Sequence, residues 1–266
     1  MIRDITIGQY VPGDSLLHKT DPRTKIILTF VMMIFIFMIT TYWGYLLLSL
    51  FTALTIVTAN IPFKFVLKGL KPVVFIVIFA GVINMFTIGG RTIFEIGILR
   101  MTYEGLDTAV KMSIRLFLLI ITASMLTYTT TPIALTDGIE KLMGPLKRIR
   151  VPVHEIAMMM TIALRFIPTL LEETDKIIKA QSSRGADFDS GNMVERAKSF
   201  IPVLIPLFIS AFRRADELAT AMEARCYRGS EGRTRMKQLH LTRYDLIAAA
   251  ITVVFMAWVL VMQTVL

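Results

Sequence analysis

Gln181-Ser182-Ser183-Arg184-Gly185-Ala186-Asp187 and Ala221-Met222-Glu223-Ala224-Arg225-Cys226-Tyr227-Arg228-Gly229 close two long helical segments within 153–228. Each sets one arginine among small residues. In 153–183, Ile156, Met160, Ala163, Ile167, Leu170 and Ile178 fall on one helical stripe, widened by Met159, Leu164 and Leu171. Pro168 predicts a kink. Before it the segment is almost wholly apolar; after it come Glu172, Glu173, Asp175, Lys176 and Lys179. Gly185 stands where a C-terminal cap glycine belongs. The second segment repeats the plan. Residues 199–212 are apolar with Pro202 and Pro206, then Arg213, Arg214, Asp216 and Glu217 appear, and Gly229 follows the tip. The parallel is architectural, since the residues align too loosely for a sequence repeat.

Working outward from this pair, the chain is largely membrane. Of 266 residues, 55% are hydrophobic and 18% charged, against about a quarter charged in a soluble domain. The apolar residues gather into charge-free runs, the mark of a bilayer rather than a soluble core. Ile26 to Phe63 is one such run, long enough for two short spans. Thr40-Thr41-Tyr42-Trp43-Gly44-Tyr45 supplies the break, with interface aromatics and a turn glycine. Residues 72–90 and 116–136 are further runs, and 246–266 is the last. Thr127-Tyr128-Thr129-Thr130-Thr131-Pro132 reads as an exit to the interface, with a short helix over 133–144 stopped by Gly144-Pro145. Asp21 before Pro22 reads as an N-cap with proline at the first helical position.

The expected architecture is an all-α integral membrane protein. It has about five transmembrane helices plus a cytoplasmic insert with two long kinked amphipathic coupling helices. A membrane domain covers 1–131, with spans near 26–41, 45–61, 72–90 and 114–131. The coupling-helix region is 132–243, and the last span lies in 244–266. Lys and Arg counts set the topology. The loop 62–71 has Lys64, Lys68 and Lys71 and no acid, the signature of a cytoplasmic loop. This predicts a multi-pass protein of the cell membrane with its N-terminus and coupling helices in the cytoplasm and its C-terminus outside.

The net charge of +9 invites a nucleic-acid reading. However, the basic residues fall in membrane-flanking segments, and no basic patch is interleaved with stacking aromatics, so no nucleic-acid partner is expected. A single cysteine, Cys226, forbids an intramolecular disulfide and a multi-cysteine zinc site. His18, His154 and His240 are far apart, and His154-Glu155 lacks the second histidine of a zincin helix. They are expected to be satisfied or solvated. The spans contain no acid, which argues against an intramembrane enzyme. Asn84 lies inside the run 72–90, near one end, either satisfied by a neighbouring helix or a substrate ligand. Few spans and no mid-membrane ionisable group argue against a self-contained secondary transporter. No cofactor is expected.

An arginine at a helix C-terminus has two readings. It complements the helix dipole, worth about 0.3–1 kcal/mol. Alternatively, it is a docking anchor whose five-donor fork suits a carboxylate groove on a partner, with small neighbours allowing close approach.

The sequence resembles the transmembrane T component of energy-coupling-factor transporters (the EcfT/CbiQ family), a group that includes the Q subunit of cobalt and nickel uptake systems. The residues that carry the likeness are Gly13-Asp14-Ser15, Asp21-Pro22-Arg23-Thr24-Lys25, Gln181-Ser182-Ser183-Arg184-Gly185 and Ala221-Met222-Glu223-Ala224-Arg225-Cys226-Tyr227. The resemblance implies docking of both tips on a pair of ABC-type ATPase subunits, through Ser183, Arg184 and Gly185 and through Ala224, Arg225 and Cys226. Ser183 stands where the family's first motif has Ala, and Cys226 where the second has Gly. It further implies that the apolar portions, 156–171 and 201–212, cradle a substrate-binding S component, through Met160, Leu164, Ile167, Leu204, Leu207 and Phe208. The remaining environment is membrane lipid. No Gly-x-x-x-x-Gly-Lys-Ser/Thr sequence is present, so the chain is expected to be a non-catalytic subunit, with hydrolysis in its partners. The implied function is the coupling subunit of an ATP-driven importer of vitamins or other micronutrients. The alternatives are a scaffold recruiting cytoplasmic proteins and a Q-type subunit of a dedicated cobalt or nickel importer.

Overall fold

Asp21 caps the first long helix as its sequence context demands. The structure, a computed structural model, describes residues 10–96, 99–188, 192–229 and 238–265. After a four-residue α1 (Leu16–Lys19), α2 runs Pro22–Met38, with Pro22 at its first position and Asp21 Oδ1 accepting from Arg23 N–H at 2.9 Å. The Thr40–Tyr45 break is real: α3 spans Tyr42–Thr58. Then come α4 (Phe63–Thr87), β1 (Thr92–Ile96), β2 (Leu99–Thr102), α5 (Tyr103–Thr129) and α6 (Pro132–Leu142). A 3₁₀ turn at Gly144–Ile149 follows, where the glycine and proline stop α6. The remaining helices are α7 (Val153–Ser183), α8 (Met193–Ser199), α9 (Ile201–Ala224) and α10 (Arg243–Val265).

Two expectations change. The basic stretch 62–71 is the first part of α4 rather than a loop, and Pro72 lies inside that helix. Lysines and leucines are good helix formers, so the absence of charge marks where a helix is apolar and not where it begins. Likewise α5 starts at Tyr103, eleven residues before the expected span. Part of the supposed loop 89–111 is an antiparallel hairpin, pairing Thr92 with Thr102 and Ile96 with Leu99. Its composition is rich in Thr and Ile, which favour strands. On length and composition alone, α4, α5, α7 and α10 are able to cross a membrane, while α3 is shorter.

The chain divides into two compact units, one holding 8–138 with 238–266 and the other centred on 139–237. In the first, hydrogen bonds fix helix directions. Lys25 Nζ donates to Thr129 O at 2.9 Å, and Arg115 Nη2 donates to Ile39 O at 3.1 Å. The two contacts are 14 residues apart on both α2 and α5, the register of an antiparallel pair. Asp21 N–H donates to Asp245 Oδ1 at 2.6 Å, and Gln263 Nε2 donates to Thr40 Oγ1 at 3.0 Å, so α2 and α10 run parallel. At about 26 Å, α2 and α3 fall just short of a ~30 Å hydrocarbon core, yet they reach the same two ends as their longer neighbours. Tight α4–α5 packing rests on small residues: a Cβ on Gly105 would meet Met85 O at 2.8 Å, and one on Gly69 would meet Tyr128 Oη at 2.7 Å. Buried side chains form two layers, one around Phe35, Ile36, Tyr45, Leu48 and Leu118, the other around Ile56, Ile61, Val66 and Tyr128.

Asp245 is 4% exposed. Its carboxylate accepts from Asp21 N–H, from Thr242 N–H at 2.6 Å and from Thr242 Oγ1 at 2.8 Å, so one acid serves two helix starts. Asp21 in turn holds Arg23 at 2.9 Å. This is why Asp21-Pro22-Arg23 and Asp245 stand at those positions: buried donors at helix N-termini need acceptors.

Candidate functional site

In the second unit, α7 runs unbroken through Pro168 and α9 through Pro206. Arg184 and Arg225 occupy the C-cap positions of the two helices. Their surroundings are the same, bond for bond. Arg184 N–H donates to Gln181 O, Gly185 N–H to Ser182 O and Ala186 N–H to Gln181 O, each at 3.0 Å. Forty-one residues on, Arg225 N–H donates to Met222 O, Cys226 N–H to Glu223 O and Tyr227 N–H to Met222 O, at 3.2, 2.9 and 3.0 Å. Both are Schellman closures, which need a left-handed residue just after the cap. Gly185 fills that role at φ 91°, as its sequence position suggested, and Cys226 fills it at φ 55°. Gly229, also left-handed, lies beyond the closure. Ser183, Arg184, Gly185, Ala224, Arg225 and Cys226 are all exposed. Among the described residues, neither guanidinium has a side-chain partner.

The two helices lie against each other through polar contacts. Ser210 Oγ donates to Glu173, and Arg214 Nη2 donates to Glu173 Oε2 at 3.0 Å. Gln181 Nε2 donates to Pro202 O at 3.2 Å. Moving from 173 to 181 on α7 moves from 210 back to 202 on α9, so the helices are antiparallel. The tips therefore do not meet. Each arginine lies 11 residues beyond its member of the Glu173–Arg214 pair, about 16 Å along the helix and in opposite directions. Ser210 and the Arg214 charge hold the Glu173 carboxyl below its usual range, against the opposing effect of burial. Glu173, Ser210 and Arg214 escaped the sequence reading. The signal was present, because Glu173 and Arg214 are separated by the same 41 residues as the tip arginines.

The apolar portions divide by exposure. Met160, Leu204 and Phe208 are exposed, and Phe208 is 61% so; Leu164, Ile167 and Leu207 are half-buried. With Ile205, Ile209 and Phe212, also exposed, α9 presents two rows of apolar side chains that its own unit does not cover.

Among its described residues, the first unit carries no comparable constellation. Its apolar cavity of about 260 Å³ lies among α1, α2, α3, α5 and α10, and among the described residues Lys25 and Tyr244 are the only ionisable groups lining it. A lone amine and a phenol lack the paired acid and base of a hydrolytic site. Among the described residues, no His, Cys, Asp or Glu cluster is arranged to hold a metal. His18 is engaged, with Nδ1 2.7 Å from Ser15 Oγ and Nε2 2.9 Å from Val11 O, and His154 Nδ1 is 3.1 Å from Glu140. His240 is exposed. Asn84 is half-buried.

Fold and site together define a nearly all-α, multi-pass membrane protein with a pair of long amphipathic helices, each ending in an arginine-capped tip. The family model described as cobalt transport protein (CbiQ) matches residues 13–236. The chain is 81% identical over 263 residues to the energy-coupling factor transporter transmembrane protein EcfT of Ruminiclostridium cellulolyticum, covering 99% of this chain and 98% of that one. It is 58% identical to the protein of the same description from Thermosediminibacter oceani, over 93% of each chain. It is 50% identical to that of Bacillus subtilis, over 92% of this chain and 93% of the relative. The chain belongs to the EcfT/CbiQ family of transporter transmembrane components.

Proposed function

We propose that the chain is the coupling subunit of an ATP-driven importer of vitamins or other micronutrients, docking two ABC-type ATPases through Arg184 and Arg225. The observation that carries this reading is the duplication of one tip geometry at the two ends of an antiparallel helix pair. A cation that only complemented a helix dipole would not need the same three-bond closure, the same left-handed neighbour and the same exposure twice over. Two alike anchors facing away from each other suit two alike partners, each with an acidic groove for one guanidinium. The charge count supports a cytoplasmic position for both tips, where ATP is available.

The exposed apolar rows of α9, with Met160 and its half-buried neighbours on α7, suit a membrane-embedded S component carrying the substrate. ATP-driven closure of the ATPases moves the docked tips, and the helices pass that motion to the S component, which releases its cargo inward. Relatives described as EcfT support this reading over a passive scaffold. The family model's description, cobalt transport protein, keeps a dedicated metal importer as the second reading; identification of the co-purifying subunits separates the two.

Charge reversal tests the docking. Arg184→Glu and Arg225→Glu should each strip one ATPase from the detergent-solubilised complex and abolish ATP-dependent uptake in reconstituted vesicles. Each anchor is expected to be worth about 2–4 kcal/mol of binding. If both variants retain their ATPases and transport normally, docking through these residues is wrong.

A further inference from the structure

The Glu173–Arg214 contact joins two residues that occupy the same place on their respective helices. The offset of 41 that relates Arg184 to Arg225 and Gly185 to Cys226 also relates Glu173 to Arg214. When equivalent elements pack about a two-fold axis, a position that meets its own equivalent lies on that axis. The α7–α9 pair is antiparallel, as such an axis requires, and Glu173 touches Arg214 at 3.0 Å while also accepting from Ser210. The tips lie at equal distances on either side of the contact.

We infer that Glu173, Ser210 and Arg214 form the fulcrum of the helix pair, a polar contact on a local pseudo-two-fold axis that sets the spread between the two tips and so fits them to two partners at once. The functional part of this inference rests on the docking reading, whereas the structural part does not. Each arm is about 16 Å long, so a rotation of about 10° at the fulcrum displaces a tip by about 3 Å. That is comparable to the length of the hydrogen bonds a docked guanidinium makes. Directional bonds suit this role better than apolar packing alone, because a carboxylate held by a hydroxyl and a guanidinium fixes orientation. The α7 arm is braced a second time, by Gln181 on Pro202 O and by the Phe188 ring against Phe200 at 5.3 Å. Asp216, Glu217, Thr220, Ala221 and Ala224 on the α9 arm are exposed. Loss of the fulcrum therefore releases chiefly the α9 arm. Glu173, Ser210 and Arg214 are positioning residues, distinct from the tips that touch the partners.

The full-length chain in lipid nanodiscs, spin-labelled at its native Cys226 and at Lys179→Cys, reports the spread directly. The unaltered fulcrum should give one narrow distance distribution. Glu173→Gln and Arg214→Gln should each broaden it and shift its centre by about 3–5 Å, and the exchange Glu173→Arg with Arg214→Glu should restore a narrow one. Ser210→Ala, which keeps both charges, should broaden it less and serves if a charge variant does not fold. In the unlabelled complex with ATPases and S component, the charge variants should keep both ATPases bound and lower uptake per ATP hydrolysed by about tenfold, with recovery in the exchange. Unchanged distances in all single variants overturn the fulcrum and leave docking standing. An unaltered chain that binds no ATPase overturns docking, and the distance measurement still decides the fulcrum. Restored distances without restored coupling overturn the functional half of the inference.

Discussion

Cys226 adopts φ 55° in a closure where the other tip uses a glycine. A left-handed conformation costs an L-residue about 1–2 kcal/mol relative to glycine, part of which is offset by the lower chain entropy of a non-glycine residue. Cys226→Gly is therefore expected to stabilise the last turn of α9 by about 0.5–1 kcal/mol. Amide hydrogen exchange over 221–226 checks this, and faster exchange in the variant would contradict it. Gly185→Ala should have the opposite effect at the first tip. At Glu173, the hydrogen bond from Ser210 and the charge of Arg214 lower the carboxyl pKa, with Lys176 adding to the effect. A lowered folded pKa means the contribution is present above the ordinary glutamate value of 4.5 and is lost as pH falls through the folded value. The tip-to-tip distance distribution should thus be narrow at neutral pH and broaden only in acid below that value. Broadening between neutrality and mildly acidic pH would contradict the assignment.

At the scale of elements, the starts of α2 and α10 share one acid. Asp245 accepts from Asp21 N–H and caps its own helix through Thr242. Replacing it by alanine leaves buried donors at two helix starts without an acceptor, each costing about 1–3 kcal/mol. Asp245→Ala should lower the thermal midpoint of the detergent-solubilised protein sharply, with Asp245→Asn intermediate because one amide oxygen still accepts. An unchanged midpoint would show that water replaces the carboxylate at no cost. The paired helices follow a different logic. α7 and α9 are each apolar in the first half and charged in the second, so they are amphipathic along their length as well as around it. Such a helix joins a lipid-facing or partner-facing region to an aqueous one. For this reason α7 meets the length and composition of a span while its second half carries Glu172, Glu173, Asp175, Lys176 and Lys179.

For the whole molecule, the hydrogen-bonded ends of α2, α5 and α10 define two faces of the membrane unit. One holds Asp21, Lys25, Thr129 and Asp245, the other Ile39, Arg115 and Gln263. The turn before α4 and the turn after it are separated by the 25 residues of that helix. In a Cys226→Ser background, Arg91→Cys should react with a membrane-impermeant maleimide in intact cells, and Lys64→Cys only after permeabilisation. Labelling of both from one side would overturn five alternating spans, and labelling with the sides exchanged would overturn the charge-based orientation.

The sequence by itself determined where the long apolar helices lie. Charge-free runs gave the membrane helices because the bilayer tolerates no unpaired ion. Asp21-Pro22 gave a helix start, and small residues around Arg184 and Arg225 marked the tips, because these are local chemistries read within one turn of helix. Helix starts in charged segments, such as Phe63 and Tyr103, were hidden because charge reports environment and not backbone conformation. Only the tertiary structure decided that α7 and α9 run antiparallel and that Glu173 meets Arg214. Those facts depend on contacts between residues 37 and 41 apart, and no local pattern fixes the direction in which one helix packs on another.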